Sequence, residues 1–263
     1  MVAKLLVLCG ILLASDAPQP AWKAKSLVAR WEHAEARHAS TGSEFTLTEY
    51  DHVFQTVSYR EGSFYSRNGQ ESGDQQTAPV AFLTLSPVAR SDQSTTVSRG
   101  EKNYRIEPLT DSSRWIMGSG KLVVVDDVAK TFEEIPKSQT ILGFQIDFSF
   151  LSVRQFPFLP GCPGGLQADD WDFSIEKETE TEYWIHGTPV SNRMAAPFCS
   201  CDLLFRKPHL SLRAVRTVDL AGTRERVFVI RTIRHDLPEL PPPDLRSYMR
   251  QDHKPISNTT APE

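Results

Sequence analysis

The first hydrophobic pattern in the chain is an uncharged apolar run near its N-terminus. Residues 5–14 form this run, which follows Lys4 and precedes the small and polar residues Ser15-Asp16-Ala17-Pro18. This order predicts a secretory signal peptide over residues 1–17 and therefore an exported, periplasmic protein. The run has about half the length that a helix needs to cross a bilayer, which argues against a permanent membrane anchor.

Cys9 lies inside this run and makes lipid anchoring an alternative localisation. A lipidated cysteine normally comes after the apolar run and is preceded by a small residue. Cys9 is instead surrounded by the run and follows Leu8. The sequence therefore favours an exported protein without an anchor over a protein that is anchored through Cys9.

The next pattern has the three- to four-residue period of an amphipathic helix. Leu27 and Trp31 recur at this spacing, Trp22 precedes them, and charged residues lie between them, which predicts a helix over Trp22–Ala39. We expect both tryptophans to pack in the core. Thr41-Gly42 is the predicted helix end, because glycine readily adopts the backbone conformation that terminates helices.

From residue 45 onward, hydrophobic residues occur at every second position, which is the period of a half-buried strand. Phe45 and Leu47 begin a pattern that extends to Tyr65 and predicts two long strands paired as a hairpin. The polar residues 66–77 and 87–100 predict exposed loops. Regular alternation of short strands and turns favours an antiparallel sheet over βαβ units. Further strands are predicted over Val80–Leu85, Asn103–Glu107, Arg114–Gly118, Leu122–Asp126, Lys130–Ile135, Trp171–Glu176, Glu182–His186, Cys201–Arg206, Leu212–Asp219 and Arg226–Ile233.

Two later segments depart from this alternation. Residues 140–163 are strongly hydrophobic and contain five phenylalanines, which predicts a helix or turn that covers another surface. The tail over residues 237–263 is rich in proline and is predicted to be extended or disordered. Residues 22–236 then make up the folded domain.

Composition and charge argue against several classes of function. The net charge is −4, the pI is near 6.0 and the basic residues are dispersed, which argues against nucleic-acid binding. The chain has no Gly-x-Ser-x-Gly motif for a serine hydrolase. A glycoside hydrolase needs two carboxyl groups, which the acidic residues Asp169, Asp170 and Asp172 could supply. Acidic runs of this kind more commonly lie in solvent-exposed turns without a catalytic role. We therefore predict no enzyme activity, no catalytic residue and no cofactor.

Three cysteines remain after removal of a signal peptide, namely Cys162, Cys199 and Cys201. In an oxidising compartment they predict a disulfide from Cys162 to Cys199 or Cys201, which leaves one thiol over. Metal binding is the alternative, but the three cysteines lack an evident fourth ligand and the spacing of a structural zinc site. We predict no metal.

Three pairs of segments carry a family resemblance, namely Val28–Glu32 with Phe45–Tyr50, Tyr104–Pro108 with Arg114–Asp126, and Leu203–Arg206 with Leu212–Gly222. They resemble the periplasmic lipoprotein-carrier (LolA/LolB-like) superfamily, most closely its divergent planctomycete branch. The resemblance covers roughly residues 27–235. It implies an α+β fold, mainly antiparallel β, in which an unclosed half β-barrel of about 10–11 strands is combined with an N-terminal helix and a lid segment.

The resemblance also implies a function, which is non-enzymatic binding of a lipid or lipoprotein acyl chain in a hydrophobic groove and its carriage across the periplasm. The expected partners are the acyl chain and membrane-associated donor and receiver proteins, and the protein is expected to be a monomer. Arg60 is the candidate for an early-strand arginine that contacts the lid in such carriers. The predicted groove residues are Phe45, Leu47, Tyr59, Phe64, Tyr104, Ile106, Trp115 and Met117, and the predicted lid residues are Phe144, Phe148 and Leu151.

An alternative function remains open at this point. The same pattern of strands fits a structural or interaction module of the cell envelope, in which the groove is filled by the protein's own side chains and holds no lipid. Both alternatives are non-enzymatic, and they differ in whether the hydrophobic face of the sheet is available to a ligand.

Overall fold

The computed structural model describes residues 21–67, 71–72, 75–76, 80–88, 95–118, 121–136, 138–141, 144–147, 168–190, 198–241 and 243–251. The predicted signal peptide with Cys9, the lid residues Phe148 and Leu151, and Cys162 lie outside these ranges. In the described ranges, no helix has the length and apolar character that a membrane span requires.

The described chain consists of an N-terminal helix followed by many strands. The helix α1 spans Ala21–Glu35, a 3₁₀ turn spans Ala168–Asp170, and the strands follow in chain order. They are β1 Ser40–Asp51, β2 Thr56–Arg67, β3 Glu71–Ser72, β4 Gln75–Gln76, β5 Val80–Pro87, β6 Thr96–Arg99, β7 Lys102–Ile106, β8 Ser113–Gly118, β9 Lys121–Asp126, β10 Thr131–Pro136, β11 Ser138–Ile141, β12 Phe144–Asp147, β13 Trp171–Glu178, β14 Glu182–Pro189, β15 Phe198–Arg206, β16 Ser211–Asp219, β17 Arg224–His235 and β18 Met249–Gln251.

Most of these strands form one unclosed, mainly antiparallel sheet of 14 strands. The hydrogen-bonded path runs β13-β14-β15-β16-β17-β1-β2-β5-β8-β9-β10-β18, with β6 and β7 attached beside β2. The predicted fold class, an open half-barrel of antiparallel strands with an N-terminal helix, is confirmed. The sheet has more strands than the predicted 10–11, and two of them, β6 and β18, lie in polar or proline-rich stretches that were predicted as loop or tail.

The core lies between α1 and one face of this sheet, which we call the inner face. On α1, Ala24, Leu27, Val28 and Trp31 are buried, at the helical spacing that the sequence predicted. They pack in one cluster with inner-face residues of β1, β2, β5 and β13 to β17. Trp22 is the exception, since it is 71% exposed and its predicted core position was wrong. It lies nine residues before Trp31, which at about 100° per residue places it on the side of the helix that faces away from the sheet.

The helix ends earlier than the sequence predicted, because the next residues belong to β1. Thr41 and Gly42, the predicted helix end, pair with both β17 and β2. A Cβ added at Gly42 would lie 2.5 Å from Cδ1 of Leu237. The glycine therefore serves close packing against the segment that follows β17, and it does not cap the helix.

Two further glycines allow phenylalanine rings to lie flat across the inner face. Gly62 pairs with Phe45, and Gly187 pairs with Phe173 on the neighbouring strand. A Cβ at Gly62 would lie 2.3 Å from the Phe45 ring, and a Cβ at Gly187 would lie 2.5 Å from the Phe173 ring. Each glycine thus provides the space that a fully buried aromatic ring occupies.

The segments predicted as a lid and a tail also contain strands. In residues 140–163 the sequence predicted a helix or turn, whereas β11 pairs with β12 as an antiparallel hairpin. After Leu237, residues 246–248 form a turn, and residues 249–251 pair with β10 as the parallel strand β18. Residues 252–263 lie outside the described part of the chain.

Candidate functional site

The structure distributes the predicted groove residues over three different environments. Phe45, Leu47 and Phe64 lie on the inner face and are 1%, 2% and 3% exposed, because α1 and neighbouring strands cover them. Trp115 and Met117 lie on the same face at the margin of the core and are half-buried.

Tyr59, Tyr104 and Ile106 are placed elsewhere. Tyr59 pairs with Thr48, whose neighbour Leu47 points to the inner face, so Tyr59 lies on the opposite, outer face. Tyr104 is buried on β7 against Tyr50, with ring centroids 5.0 Å apart, and Ile106 pairs with Val57 at the start of β2. The predicted groove residues therefore do not form one contiguous surface.

A smaller apolar surface, which we call the inner patch, is formed on β8, β9 and β10. Its residues occupy two adjacent rows of the ladder on the face that carries the core. It adjoins the core at Ala81 and Leu83 of β5, which pair with β8. Glu133 lies on the same face, paired with Val124, and gives the patch one charged border. The members of the inner patch are Trp115, Met117, Leu122, Val124 and Ile135.

Arg60 lies on the inner face next to Leu47, near the other end of the strands. Its guanidinium donates to both carboxylate oxygens of Asp111, at 2.9 and 3.1 Å. Glu49 lies 3.9 Å away from the Arg60 guanidinium and also accepts from Arg226. Within the described residues, Arg60 forms ion pairs with these two acids. A contact between Arg60 and the predicted lid remains a prediction.

A chain of alternating charges crosses the outer face from β14 to β17. His186 pairs with Asp202 at 2.6 Å, and the other oxygen of Asp202 accepts from Arg216 at 2.6 Å. Arg216 also donates to Glu225 at 2.8 Å. The two carboxylates hold the pKa of Arg216 above its usual value, chiefly through the hydrogen bond to Glu225.

Glu225 is the buried centre of this charge chain. It is 3% exposed and receives a second cation, because Arg99 of β6 contacts it at 2.5 Å. His52 lies 3.6 Å from Glu225 and pairs with the Tyr104 hydroxyl at 2.9 Å. The arrangement joins the β6–β7 hairpin to the main sheet, and each acid lies between basic neighbours as in a structural ion network.

The end of α1 carries two carboxyl groups in an unfavourable environment. Burial raises the pKa of Glu32 from 4.5 to about 7, although Ala168 N–H donates to its Oε2 at 3.2 Å. Burial also raises the pKa of Glu35. One oxygen of each group, Glu32 Oε1 and Glu35 Oε2, is buried without a hydrogen-bond partner among the described residues. Both carboxyl groups therefore bind a proton more tightly in the folded protein than an exposed glutamate does.

Replacement of Glu32 by glutamine is expected to stabilise the protein at pH 8 and to leave its stability at pH 4.5 nearly unchanged. The folded state binds the Glu32 proton more tightly than the unfolded state, so this contribution is lost as pH rises from 4.5 to about 7. The gain at pH 8 should be about 1–2 kcal/mol after allowance for partial solvent exposure. Urea unfolding at both pH values measures the effect.

The matched control for Glu32→Gln is Glu180→Gln, which makes the same change in an exposed turn. The control should shift the free energy of unfolding by less than about 0.5 kcal/mol at either pH. A Glu32→Gln protein whose stability changes equally at pH 4.5 and pH 8 would show that burial of the carboxylate is not the cause.

The cysteine prediction is only partly covered by the described residues. Cys199 is exposed and Cys201 is buried, and neither forms a disulfide with another described residue. Burial raises the pKa of the Cys201 thiol well above its usual range. Cys162 lies outside the described residues, so its pairing stays a prediction. Over the ranges described, no group of three or more His, Cys, Asp or Glu residues could hold a metal ion.

A cavity of about 320 Å³ lies on the outer face, on the opposite side of the sheet from the core. Its floor is a row of apolar residues that pair in register across four strands, and its roof is the segment that follows β17. The sequence contained a signal for it, because several strands have apolar residues at consecutive positions, which indicates that both faces are covered. The floor residues are Tyr65, Phe82, Ile116 and Val123, and the roof residues are Leu240, Pro243 and Leu245.

Comparisons with known proteins find similar structures at low sequence identity. No family model matches the chain, and no curated protein matches it. A DUF1329 family protein from Desulfovibrio piger is 12% identical with a TM-score of 0.41, and the match covers 84% of this chain and 95% of that chain. An outer membrane lipoprotein-sorting protein domain from Vibrio parahaemolyticus is 10% identical with a TM-score of 0.38, over 82% of this chain and 93% of that chain.

A LolA superfamily protein from Nitrosomonas europaea is also similar to this chain. It is 8% identical with a TM-score of 0.32, over 83% of this chain and 94% of that chain. The matches thus include the LolA superfamily, as the sequence resemblance predicted. At these identities and TM-scores they carry no argument about activity, cargo or partners, and the planctomycete branch stays a prediction.

Proposed function

We propose that this chain is an exported periplasmic protein that binds the acyl chain of a lipid or lipoprotein without covalent chemistry. The inner patch is the observation that carries the proposal. Five apolar side chains lie on the inner face of β8 to β10, beside the core cluster, and Trp115 and Met117 remain half-buried there. The core cluster, by contrast, includes no residue of β9 or β10.

The chemistry of the inner patch suits an acyl chain. Transfer of hydrocarbon from water to an apolar surface is favourable by about 0.8 kcal/mol for each CH₂ group, so a chain of modest length needs no covalent bond to stay bound. Phe144, Phe148 and Leu151 are proposed to cover the bound chain. A membrane-associated donor would supply the acyl chain to this protein. Release would then require a receiver that binds the acyl chain more tightly.

The second candidate function is a structural or interaction module of the cell envelope. A specific observation favours it, namely that Phe45, Leu47 and Phe64 are already covered by the protein itself. In that case the inner patch would be covered by the protein's own residues and would hold no lipid.

Replacement of Trp115 by aspartate tests the acyl-chain proposal. A charge in the inner patch should lower the affinity for a fluorescent long-chain fatty acid by about tenfold or more, because apolar contact is lost and a carboxylate is brought next to the chain. Binding is measured by fluorescence titration of the purified protein. Organic extraction of the wild-type protein from its native host, followed by mass spectrometry, should also release a lipid.

The matched control is Val229→Asp, which places the same charge on the outer face of β17, where Val229 is 44% exposed. It should bind the fatty acid as the wild type does. Absence of extracted lipid, together with equal fatty-acid binding by the Trp115→Asp and Val229→Asp proteins, would favour the structural module.

A further inference from the structure

We propose that the outer-face cavity is a second binding site, which takes a small uncharged apolar group such as a single aromatic ring system or a short hydrocarbon segment. The floor of the cavity and the inner patch lie on opposite faces of the sheet, although Met117 of the inner patch also borders the cavity. Adjacent residues of β8 distinguish the two sites, since Trp115 faces the inner patch and Ile116 lines the cavity. The inference therefore does not rest on the proposed acyl-chain function.

The floor of the cavity is built by the register of the sheet. Tyr65 pairs with Phe82, Phe82 with Ile116, and Ile116 with Val123, so the four side chains form one continuous apolar row. The rings of Tyr65 and Phe82 are stacked with centroids 5.8 Å apart. An apolar row on the face away from the core needs a cover, because water contact with it is unfavourable.

The cover is a strap, which we define as the tail segment 238–251 apart from residue 242. Its first end is held by the Tyr65 hydroxyl, which donates to the Pro238 carbonyl at 3.4 Å, and by the Arg67–Glu239 ion pair at 2.5 Å. At its second end the Tyr248 hydroxyl donates to Asp127 at 2.6 Å. Both ends of the roof are therefore fixed to the sheet.

The strap leaves space between its two anchors. Leu240 and Leu245 face the floor across a cavity of about 320 Å³, and Leu240 remains 45% exposed. Asp244 and Arg246, in the middle of the strap, pair with each other at 2.7 Å. A ligand that fills this space would remove apolar surface of both the floor and the roof from water, which is favourable.

The size and charge of the cavity indicate the class of ligand. Its volume lies near the lower end of the range for small-molecule sites, about 300–1,000 Å³, which is too small for a whole lipid. The cations at its rim are already neutralised, because Arg67 pairs with Glu239 and Lys121 pairs with Glu134. A charged ligand would have to disrupt an ion pair, whereas an uncharged apolar ligand leaves both pairs intact.

Two dyes with the same ring system test this inference. N-phenyl-1-naphthylamine is uncharged, and 1-anilinonaphthalene-8-sulfonate adds a sulfonate to the same skeleton. Fluorescence titration of the purified protein should show a site for the uncharged dye that binds the sulfonate at least about tenfold more weakly. Equal affinity of both dyes for a site that a cavity variant removes would overturn the assignment to uncharged ligands.

Two substitutions locate the site. Ile116→Trp fills the cavity from its floor, and Leu240→Asp places a charge on its roof, where Leu240 is 45% exposed and water can solvate the new carboxylate in part. Each should lower the affinity of this site for the uncharged dye by about tenfold or more, while fatty-acid binding stays as in the wild type. Wild-type dye binding by both variants would overturn the proposal.

The adjacent residue separates this proposal from the acyl-chain proposal. Trp115→Asp should affect fatty-acid binding and leave the cavity site for the uncharged dye intact. If Trp115→Asp abolishes all dye binding and the two cavity variants do not reduce it, the dye binds at the inner patch and the second site does not exist. If Trp115→Asp loses only fatty-acid binding, the result supports the acyl-chain site at the inner patch and leaves the cavity site in place.

Discussion

Replacement of Trp31 by alanine is expected to lower the free energy of unfolding by about 3–5 kcal/mol, the usual cost of truncating a large aromatic side chain in a core. Trp31 is 6% exposed and packs edge-to-face against Phe205 of β15, with ring centroids 5.5 Å apart. Trp31 is the buried tryptophan of α1 and lies about one turn before the helix ends at Glu35.

The size of this effect follows from how α1 is stabilised. A helix of 15 residues is marginal when isolated in water, so its stability depends on the apolar face that it packs against the sheet. Removal of the Trp31 ring leaves a cavity beside Phe205, which is fully buried. Both the lost burial and the cavity add to the cost. Urea unfolding monitored by circular dichroism measures it.

Trp22→Ala is the matched control, because it makes the same truncation in the same helix. Trp22 is 71% exposed, and its replacement should change the free energy of unfolding by less than about 0.5 kcal/mol. If the two alanine variants lose equal stability, the contact between α1 and β15 is not what holds the helix to the sheet.

The contrast between the two tryptophans shows what periodicity can predict and what it cannot. The period of 3.6 residues correctly assigned Trp31 to the buried face, and the period of two correctly indicated most strands. Trp22 lies nine residues before Trp31, and at about 100° per residue this separation places it on the opposite side of the helix. The period therefore indicates that Trp22 is exposed, and the prediction that placed it in the core rested on its hydrophobic character alone.

The predicted groove makes the same point for strands. Phe45, Leu47 and Phe64 lie on one hydrophobic face, but Tyr59 lies on the other. Tyr59 and Phe64 are five residues apart on β2, and side chains at an odd separation point to opposite faces of a strand, so the period of two already separates them. Tyr104 was expected beside these residues, whereas β7 pairs with the first residues of β2 in parallel and places Tyr104 against Tyr50.

The charge chain on the outer face could not have been found from the sequence. His186, Asp202, Arg216 and Glu225 lie on four successive strands with different turn lengths between them. They become neighbours only because the registers of three strand pairs bring them together. Each residue separately is typical of a solvated strand surface, so the pattern in the chain gives no indication that Glu225 is buried.

Replacement of Glu225 by alanine is expected to lower the free energy of unfolding by about 2–3 kcal/mol, which is below the full cost of breaking a buried ion pair. The carboxylate is 3% exposed and is contacted by both Arg216 and Arg99. Without it, two guanidinium groups lose their shared partner. Their side chains are 41% and 37% exposed, so water can solvate them in part, and this reduces the cost.

Glu225→Gln and Glu61→Ala are the two comparisons that make this prediction specific. Glutamine keeps the shape and hydrogen-bonding capacity of Glu225 without its charge, so its cost should be smaller than that of alanine. Glu61 pairs with Arg231 on the surface, where both side chains are about half exposed, and its replacement should cost no more than about 1 kcal/mol. If Glu225→Ala costs no more than Glu61→Ala, the buried carboxylate does not hold the β6–β7 hairpin to the sheet, and the hairpin must be stabilised by the packing of Tyr104 against Tyr50 instead.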